Sequence, residues 1–509
     1  MTLRIVATPL IAPITLPDQR DGGFDPSLLP AVLPAPGRDG LKRRLSGDGV
    51  LVVTAGQQPA LFTGPLFTIH KALSAAALAS VLEHRWGRPV VPLFWVAGDD
   101  HDFTEASHAE WLRPDGTVGG ARLLPRAPDA PLTPMYREPL GPAVTDALAA
   151  LEADIPPSEF REATLDWIHR HFRPDATVAS SYAGALAELL APYGVLVFDS
   201  THTAVKRAAV PLMLRALRHA AELETDLAAR VDSLSAEGAD SGVAVGVGAT
   251  LVMLECRLGR DRLMQHGGKF ATRRGKVEYT LDQLEDLAAH EPGRFSPNVL
   301  LRPVIESALL PTVAYLGGPG ELRYLPLTAP VYRRLEVTPQ RPLPRWSGVI
   351  LEPRVDRVLD KFGVRLEELM QPPGPLEARL VRSRLPEDAL AALETLRRNI
   401  ELDYATIGRA AVAIDPTLEK PIQSARNQAL AGTHDVEKKL LQHLKKREET
   451  ELSQIGRARA AVWPHDKPQE RVLTLAPFLA RYGPSLLEQL VEVAQTWYSA
   501  ALEGAFEPA

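Results

Sequence analysis

A glycine- and glutamine-rich segment near the start of the chain could hold an anionic or sugar-like ligand. Residues 49–54 form a short β-branched run typical of a buried strand, and the apolar spacing after residue 65 predicts a helix. The turn between them lies where open parallel sheets bind ligands, because free N–H groups and the helix dipole meet there. The candidate binding residues are Gln57, Gln58, Thr63, Gly64, Pro65, His70 and Lys71. The alternative is an ordinary surface loop with solvent-facing glutamines.

A second segment, directly after the apolar run 90–96, concentrates carboxylates around one imidazole. Its candidate catalytic residues are Asp99, Asp100, His101 and Asp102, and Trp95 in the preceding run is a candidate binding residue. Crowded carboxylates raise one another's pKa, and histidine exchanges protons near neutral pH. The pattern therefore indicates a general base, an ammonium-binding site or a site for a hard metal ion. The alternative is a charged turn that caps a helix.

A third segment lies much further along the chain and combines polar side chains with a glycine-rich turn. Its candidate binding residues are Asn298, Arg302, Tyr315, Gly318, Gly320 and Glu321. Glycines permit a close approach of the backbone to a ligand. Arg302 and Glu306 lie four residues apart and could instead form an ion pair on a helix.

The composition excludes several classes of partner and site. The 509 residues are 45% hydrophobic with a net charge of -6, so neither nucleic acid nor an anionic membrane is an expected partner. Cys256 is the single cysteine, which excludes an internal disulfide and any site that needs two thiolates. No apolar run reaches the roughly 20 residues of a membrane span, and the first residues lack a signal-peptide pattern. We therefore expect a cytoplasmic protein.

The elements that position these segments follow the pattern of an α/β protein. A strand, a helix and a second strand with near-continuous apolar strands predict a parallel sheet that is covered on both faces. Residues 195–199 and 250–256 are predicted as further strands of this unit, and residues 206–230 as one long helix. Gly267 and Gly268 suit the turn of a hairpin. The proline-rich first 40 residues are predicted to form an extended arm over the core.

The last third of the chain has the pattern of a helical hairpin. Apolar residues recur at spacings of three and four from Leu393 to Ile414 and again from Leu418 to Leu444, on either side of Pro416. This pattern predicts an antiparallel coiled coil, which we expect to form a homodimer. The predicted domains are a core at 1–360 with insertions near 103–175 and 257–295, a coiled coil at 361–470, and a helical segment at 471–509 that packs back on the core.

The motifs of these segments resemble one protein family. The sequences GQQPALFTGPLFTIHKALSA, PLFWVAGDDHDFTEASH, FSPNVLLRPVIESALLPTVAYLGGPGELRY and PQER (468–471) are similar to those of the BshC family of bacillithiol-biosynthesis enzymes. The resemblance covers essentially the whole chain. Two positions depart from the family pattern: Asp99 stands where a glutamate is usual, and Ala60 where a glycine is usual.

The resemblance implies a fold, a reaction and its substrates. It implies a Rossmann-type core with insertions plus a coiled coil, and an enzyme that adds L-cysteine to the amine of glucosaminyl-malate. Because a free carboxylate must be activated before it forms an amide, ATP is the expected co-substrate. No metal is firmly predicted. The alternatives are a metal-dependent hydrolase of a sugar conjugate that uses the aspartate and histidine cluster, and a non-catalytic binding or scaffold protein.

Overall fold

A computed structural model describes residues 3–10, 13–38 and 40–504 of the chain. The strands are β1 (Arg4–Ala7), β2 (Leu51–Gln57), β3 (Val90–Val96), β4 (His108–Leu112), β5 (Val118–Arg122), β6 (Leu196–Asp199), β7 (Ala249–Cys256), β8 (Gly259–His266), β9 (Lys269–Thr272), β10 (Glu278–Tyr279), β11 (Phe295–Pro297), β12 (Thr312–Gly317), β13 (Arg341–Pro344) and β14 (Gly348–Leu351). The helices are α1 (Gly40–Arg44), α2 (Phe67–Trp86), α3 (Phe103–Ala106), α4 (Ala143–Asp154), α5 (Arg161–His171), α6 (Val178–Leu190), α7 (Thr203–Arg218), α8 (Ala220–Ala236), α9 (Leu281–His290), α10 (Arg302–Leu309), α11 (Pro319–Tyr324), α12 (Ala329–Arg334), α13 (Pro353–Phe362), α14 (Leu366–Leu369), α15 (Pro375–Arg382), α16 (Glu387–Ile414), α17 (Glu419–Arg447), α18 (Glu449–Val462), α19 (Ala476–Tyr482) and α20 (Ser485–Glu503). Parts of the predicted N-terminal arm (1–2, 11–12 and 39) and of the predicted C-terminal segment (505–509) lie outside the described residues.

A five-stranded parallel sheet forms the centre of the larger of two compact units. Its order is β13-β12-β2-β3-β6, and β3 is buried along its whole length. Burial on both faces explains why these strands are near-continuous apolar runs. The predictions of strands at 49–54, 90–96 and 195–199 are confirmed.

The strand order creates a crevice at one edge of this sheet. The chain runs from β2 outward to β3 and β6, then returns to place β12 and β13 on the other side of β2. This reversal makes the carboxyl ends of β2 and β12 a topological switch point, where doubly wound sheets bind their ligands. The first predicted segment begins at the end of β2, and Gly318, Gly320 and Glu321 of the third segment follow β12.

Two insertions interrupt the sheet. The first, between β3 and β6, contains the β4-β5 hairpin and helices α3 to α6. The second contains an antiparallel sheet in the order β10-β9-β8-β7-β11. The placement of residues 250–256 in the parallel unit is therefore wrong, because β7 pairs antiparallel with β8 and β11. The predicted hairpin at Gly267 and Gly268 is confirmed, with His266 opposite Lys269.

Two smaller predictions about this unit need correction. The single helix predicted at 206–230 is two helices, because α7 ends at Arg218 and α8 begins at Ala220. The position of Cys256 in a predicted strand also predicts that this residue is buried, but it is only half-buried because it ends β7 beside a turn. At the C-terminus, α20 packs along α2.

The second compact unit is mainly Leu351–Pro468 and is helical. Helices α16 and α17 form the predicted antiparallel hairpin, with its turn at Pro416–Leu418 and Pro421 in the first turn of α17. Arg397 crosses the seam between them to an ion pair with Glu437. Among the described residues, no helix is long and apolar enough to cross a membrane.

Candidate active site

A cavity of about 490 Å³ lies at the carboxyl edge of the parallel sheet. The ends of β2, β3, β6 and β12 contribute to its wall, together with residues of β8 in the antiparallel insertion. The predicted site residues that line it are Gln57, Gln58, Lys71, Trp95, Asp99, Asp100, His101, Asn298, Arg302, Tyr315, Gly318, Gly320 and Glu321. The fold thus brings side chains from all three predicted segments to one place.

Lys71 links the first segment to the third. Its side chain is 3% exposed, and Nζ donates 2.9 Å hydrogen bonds to Gly56 O and Gln57 Oε1 and pairs with Glu321. Burial lowers the pKa of Lys71, while Glu321 opposes this shift. Burial by itself raises the pKa of Glu321, but Lys71 and the Tyr315 hydroxyl outweigh burial and hold it below its usual value. Lys71 therefore fixes the side chain of Gln57 through a hydrogen bond.

Arg302 extends this hydrogen-bond network from the cavity wall to the buried Glu306. Its Nη1 donates to Glu306 Oε2 at 2.8 Å, and its Nη2 donates to the Tyr315 hydroxyl at 3.2 Å. The Tyr315 hydroxyl donates to Glu321, and Glu306 is fully buried. The predicted alternative of an Arg302–Glu306 pair on a helix is confirmed. It does not remove Arg302 from the cavity, because the same guanidinium also lines the wall.

The acidic turn after β3 gives each carboxylate a different partner. Asp99 pairs with Lys206 Nζ, which also donates to Phe295 O at 2.9 Å. Asp100 Oδ1 accepts the Asp102 N–H at 2.8 Å. Although an aspartate is one methylene shorter than a glutamate, the Asp99 carboxylate reaches the buried Lys206.

His101 is held by an arginine that the sequence did not single out. Arg260 Nη1 donates to His101 Nδ1 at 3.2 Å, so the neutral ring carries its proton on Nε2. Burial first, and then the positive charge of Arg260, lower the pKa of His101, although Asp100 opposes this. The imidazole is therefore neutral at pH 7 and presents an N–H donor.

A buried cluster supports the cavity from behind. Glu470 accepts hydrogen bonds from Arg345 Nη1 at 2.8 Å, from Ser347 Oγ at 2.8 Å and from His70 Nδ1 at 2.7 Å. Burial raises the pKa of Glu470, but His70 and Arg345 outweigh it, so the pKa lies well below its usual range. Glu470 belongs to the PQER segment, and Arg345 lines the cavity.

Comparison with known proteins shows the family. Residues 42–345 match the model of the N-terminal Rossmann-like domain of bacillithiol-biosynthesis BshC, and residues 348–497 match the model of its C-terminal coiled-coil domain. The chain belongs to the BshC family. A protein of Heliobacterium modesticaldum named "Putative cysteine ligase BshC" is 30% identical over 89% of this chain and 83% of its own length. A protein of Symbiobacterium thermophilum with the same name is 30% identical over 88% and 83% of the two chains.

Five predicted site residues of this BshC chain lie away from the cavity: Thr63, Gly64, Pro65, His70 and Asp102. The turn at 62–64 has three successive positive φ angles, and Thr474 Oγ1 donates to Phe62 O at 2.8 Å to hold it. Pro65 pairs with Thr474 rather than starting a helix. This turn therefore has a structural role.

His70 and Asp102 have structural roles, which differ from each other. The His70 ring is fully buried between Glu470 and the edge of Trp346, with burial lowering its pKa. Asp102 caps α3 by accepting the Glu105 N–H at 3.2 Å, which is the helix-cap alternative for this residue. The family departure at Ala60 is harmless, because its φ of -151° and ψ of 157° suit any residue.

Several charged residues that line the cavity were not predicted from the sequence: Glu105, Lys206, Arg260, Arg262, Arg345 and Arg471. Arg260 and Arg262 show the alternation of a half-buried strand, which was a readable signal. Arg471 ends the PQER segment, whose resemblance to the family pattern was its only signal. No sequence signal pointed to Lys206 or Arg345, because each lies far in sequence from its partners.

The aspartate and histidine turn of this BshC protein does not converge on one point. Asp99 faces a lysine, Asp100 and Asp102 face backbone N–H groups, and His101 faces an arginine. Within the described ranges, no group of three or more His, Cys, Asp or Glu side chains is arranged to hold a metal ion. Each side chain of this turn therefore contacts a different neighbour.

Proposed function

We propose that this protein is a ligase that joins the carboxyl group of L-cysteine to the amine of glucosaminyl-malate, with ATP as the activating co-substrate and bacillithiol as the product. The family and the names of its relatives support cysteine ligation. The observation that carries the proposal is the charge of the cavity. Among its described lining residues, seven are Lys or Arg and four are carboxylates. Lys71, Lys206, Arg302 and Arg345 each pair with a carboxylate, whereas Arg260, Arg262 and Arg471 have no carboxylate partner among the described residues. These three cations suit the carboxylates and phosphates that the reactants carry.

The residues at the switch point fit the phosphates of a nucleotide. Arg345 is 5% exposed and its Nε is buried without a hydrogen-bond partner among the described residues. Lys71, Arg345 and Arg471 surround the Phe67 ring, each about 6 Å from its centroid. Guanidinium groups at the carboxyl end of a parallel sheet favour phosphate binding. ATP supplies the leaving group that a free carboxylate lacks.

The acidic turn provides the proton chemistry. The attacking amine must lose a proton as it forms the bond to the carbonyl carbon. The Asp100 carboxylate lines the cavity and has one oxygen outside its backbone hydrogen bond, so it accepts that proton. The Nε2–H of neutral His101 donates to the oxygen on which negative charge develops. The activated carboxyl oxygen then leaves with the nucleotide phosphate.

Mass spectrometry of a complete reaction tests this proposal. Cysteine, glucosaminyl-malate and ATP should give a product whose mass is the sum of the first two minus one water. Asp100→Asn should lose most of this product while its melting temperature stays near that of the wild type. If the wild type makes no product while an active BshC enzyme does so in parallel, the proposal is wrong.

We further propose that the coiled coil forms a homodimer. Several apolar side chains of α16 remain exposed, with Leu402 at 60%, Ile407 at 48% and Ile414 at 81%. Exposed apolar surface on a long helical hairpin is typical of an association site.

A further inference from the structure

The inner face of the antiparallel insertion carries two neighbouring arginines. Arg260 and Arg262 lie two residues apart on β8, so both side chains project from the same face of the strand. Asp261 and Leu263 project from the other face and are buried. Arg260 and Arg262 both line the cavity, and Met253, directly opposite Arg262 on β7, lines it as well.

Neither arginine has a carboxylate partner among the described residues. Arg260 donates to Ser296 Oγ at 2.9 Å, to Pro297 O and to His101. Glu255 lies opposite Arg260 in the sheet, but its carboxylate is occupied by Arg137 at 2.7 Å and by the Tyr136 hydroxyl at 2.8 Å. No hydrogen bond or ion pair of the Arg262 side chain is found in the described part of the chain.

The positive charge of Arg262 is not balanced by a carboxylate among the described residues. Arg262 is half-buried, and burial, together with the charges of Arg273 and Arg260, lowers its pKa. The Arg262 guanidinium offers a fork of N–H donors that matches a carboxylate in a two-point contact. Arg260, on the same strand face, keeps one N–H on each of Nη1 and Nη2 outside its hydrogen bonds to His101 and Pro297. This strand face therefore suits a ligand that carries two carboxylate groups close together.

We propose that Arg262, together with Arg260, forms a dicarboxylate subsite that binds the malate part of the acceptor. This inference rests on the proposed function, because glucosaminyl-malate carries two neighbouring carboxylates. The other positive cluster, at Arg345 and Arg471, lies at the strand ends that suit phosphate. The contact between Arg260 and His101 places the malate subsite beside the acidic turn, where the acceptor amine must react.

Calorimetric titration of the full chain tests the subsite without requiring turnover. Arg262→Ala should weaken glucosaminyl-malate binding by at least about tenfold, while ATP binding stays within about twofold of the wild type. Arg274→Ala is the matched control, since Arg274 is a neighbouring exposed arginine that does not line the cavity and is not among the charges that shift the pKa of Arg262. It should leave both affinities unchanged. The methyl glycoside of glucosamine, which lacks malate, should bind wild type and Arg262→Ala equally weakly.

The outcomes separate this inference from the proposed function. If Arg262→Ala binds glucosaminyl-malate as tightly as the wild type, or if it loses ATP binding instead, the dicarboxylate subsite is refuted. If the expected affinities are found but no ligation product forms, the subsite stands and the ligase proposal fails.

Discussion

Arg260 Nη1 lies 3.2 Å from Nδ1 of His101, and this single contact decides which ring nitrogen carries the proton. An imidazolium would place a second N–H against the guanidinium, so the contact holds only while the ring is neutral. Arg260, in the inserted antiparallel sheet, thereby sets the protonation state of His101, which follows a strand of the parallel sheet.

The first prediction concerns the pH dependence of ligation. The positive charge of Arg260 is one cause of the lowered pKa of His101, so Arg260→Gln should raise that pKa. In the proposed mechanism His101 acts as the neutral ring, so the acidic limb of kcat/KM should then move to higher pH. Arg273→Gln, a neighbouring arginine outside the cavity, should leave the limb in place. An unshifted limb in Arg260→Gln would show that His101 does not control the reaction.

The second prediction concerns the buried pair of Lys71 and Glu321. Lys71→Met leaves Glu321 without its main partner and should lower the free energy of unfolding by about 3 kcal/mol. Adding Glu321→Gln should recover part of this loss, because the uncompensated charge is then removed. Lys269→Met is the control, since the pair of Lys269 and Glu278 is exposed and should change stability by less than about 0.5 kcal/mol. Urea denaturation followed by tryptophan fluorescence measures all four proteins. Equal losses at the buried and exposed pairs would contradict the network.

The third prediction concerns Glu470 and acid stability. Its pKa is lower in the folded chain than in the unfolded one, so its stabilisation is present above the unfolded pKa and is lost as the pH falls. Glu470→Gln should cost about 3 kcal/mol at pH 7. The difference from the wild type should shrink as the pH approaches about 3.5. A difference that stays constant between these pH values would mean that the Glu470 charge does not stabilise the fold.

The fourth prediction concerns the coiled coil. Replacing both Leu402 and Ile407 with Asp should convert a dimer into a monomer in sedimentation experiments, because charges would occupy the apolar face. Leu124→Asp is the matched control, since Leu124 is 73% exposed and lies outside the coiled coil. A wild type that sediments at the monomer mass of 55.4 kDa would rule out the dimer.

The local sequence pattern predicts where helices and strands lie better than it predicts which strands pair with each other. The runs at 49–54 and 90–96 and the hairpin at Pro416 are each specified by residues close in sequence. The strand at 250–256 has the same apolar character, yet it pairs in another sheet, since pairing depends on distant residues. Periodicity measures burial and does not reveal which sheet a strand joins.

The candidate site shows the same division. Residues clustered in motifs, such as Gln57 and His101, do line the cavity. His70 lies in an equally dense motif but points to Glu470, some 400 residues away in sequence. Lys206 and Arg345 could not be selected from the sequence, because their roles arise from contacts across the fold.

The most direct test of the central claim is the fate of the cysteine carboxyl oxygens. Cysteine labelled with oxygen-18 in its carboxyl group is incubated with the protein, glucosaminyl-malate and ATP, and all products are analysed by mass spectrometry. A ligase that activates the carboxylate transfers one labelled oxygen to the phosphate group released from the nucleotide for each bacillithiol formed. Bacillithiol without labelled phosphate, or no bacillithiol at all, would contradict the account.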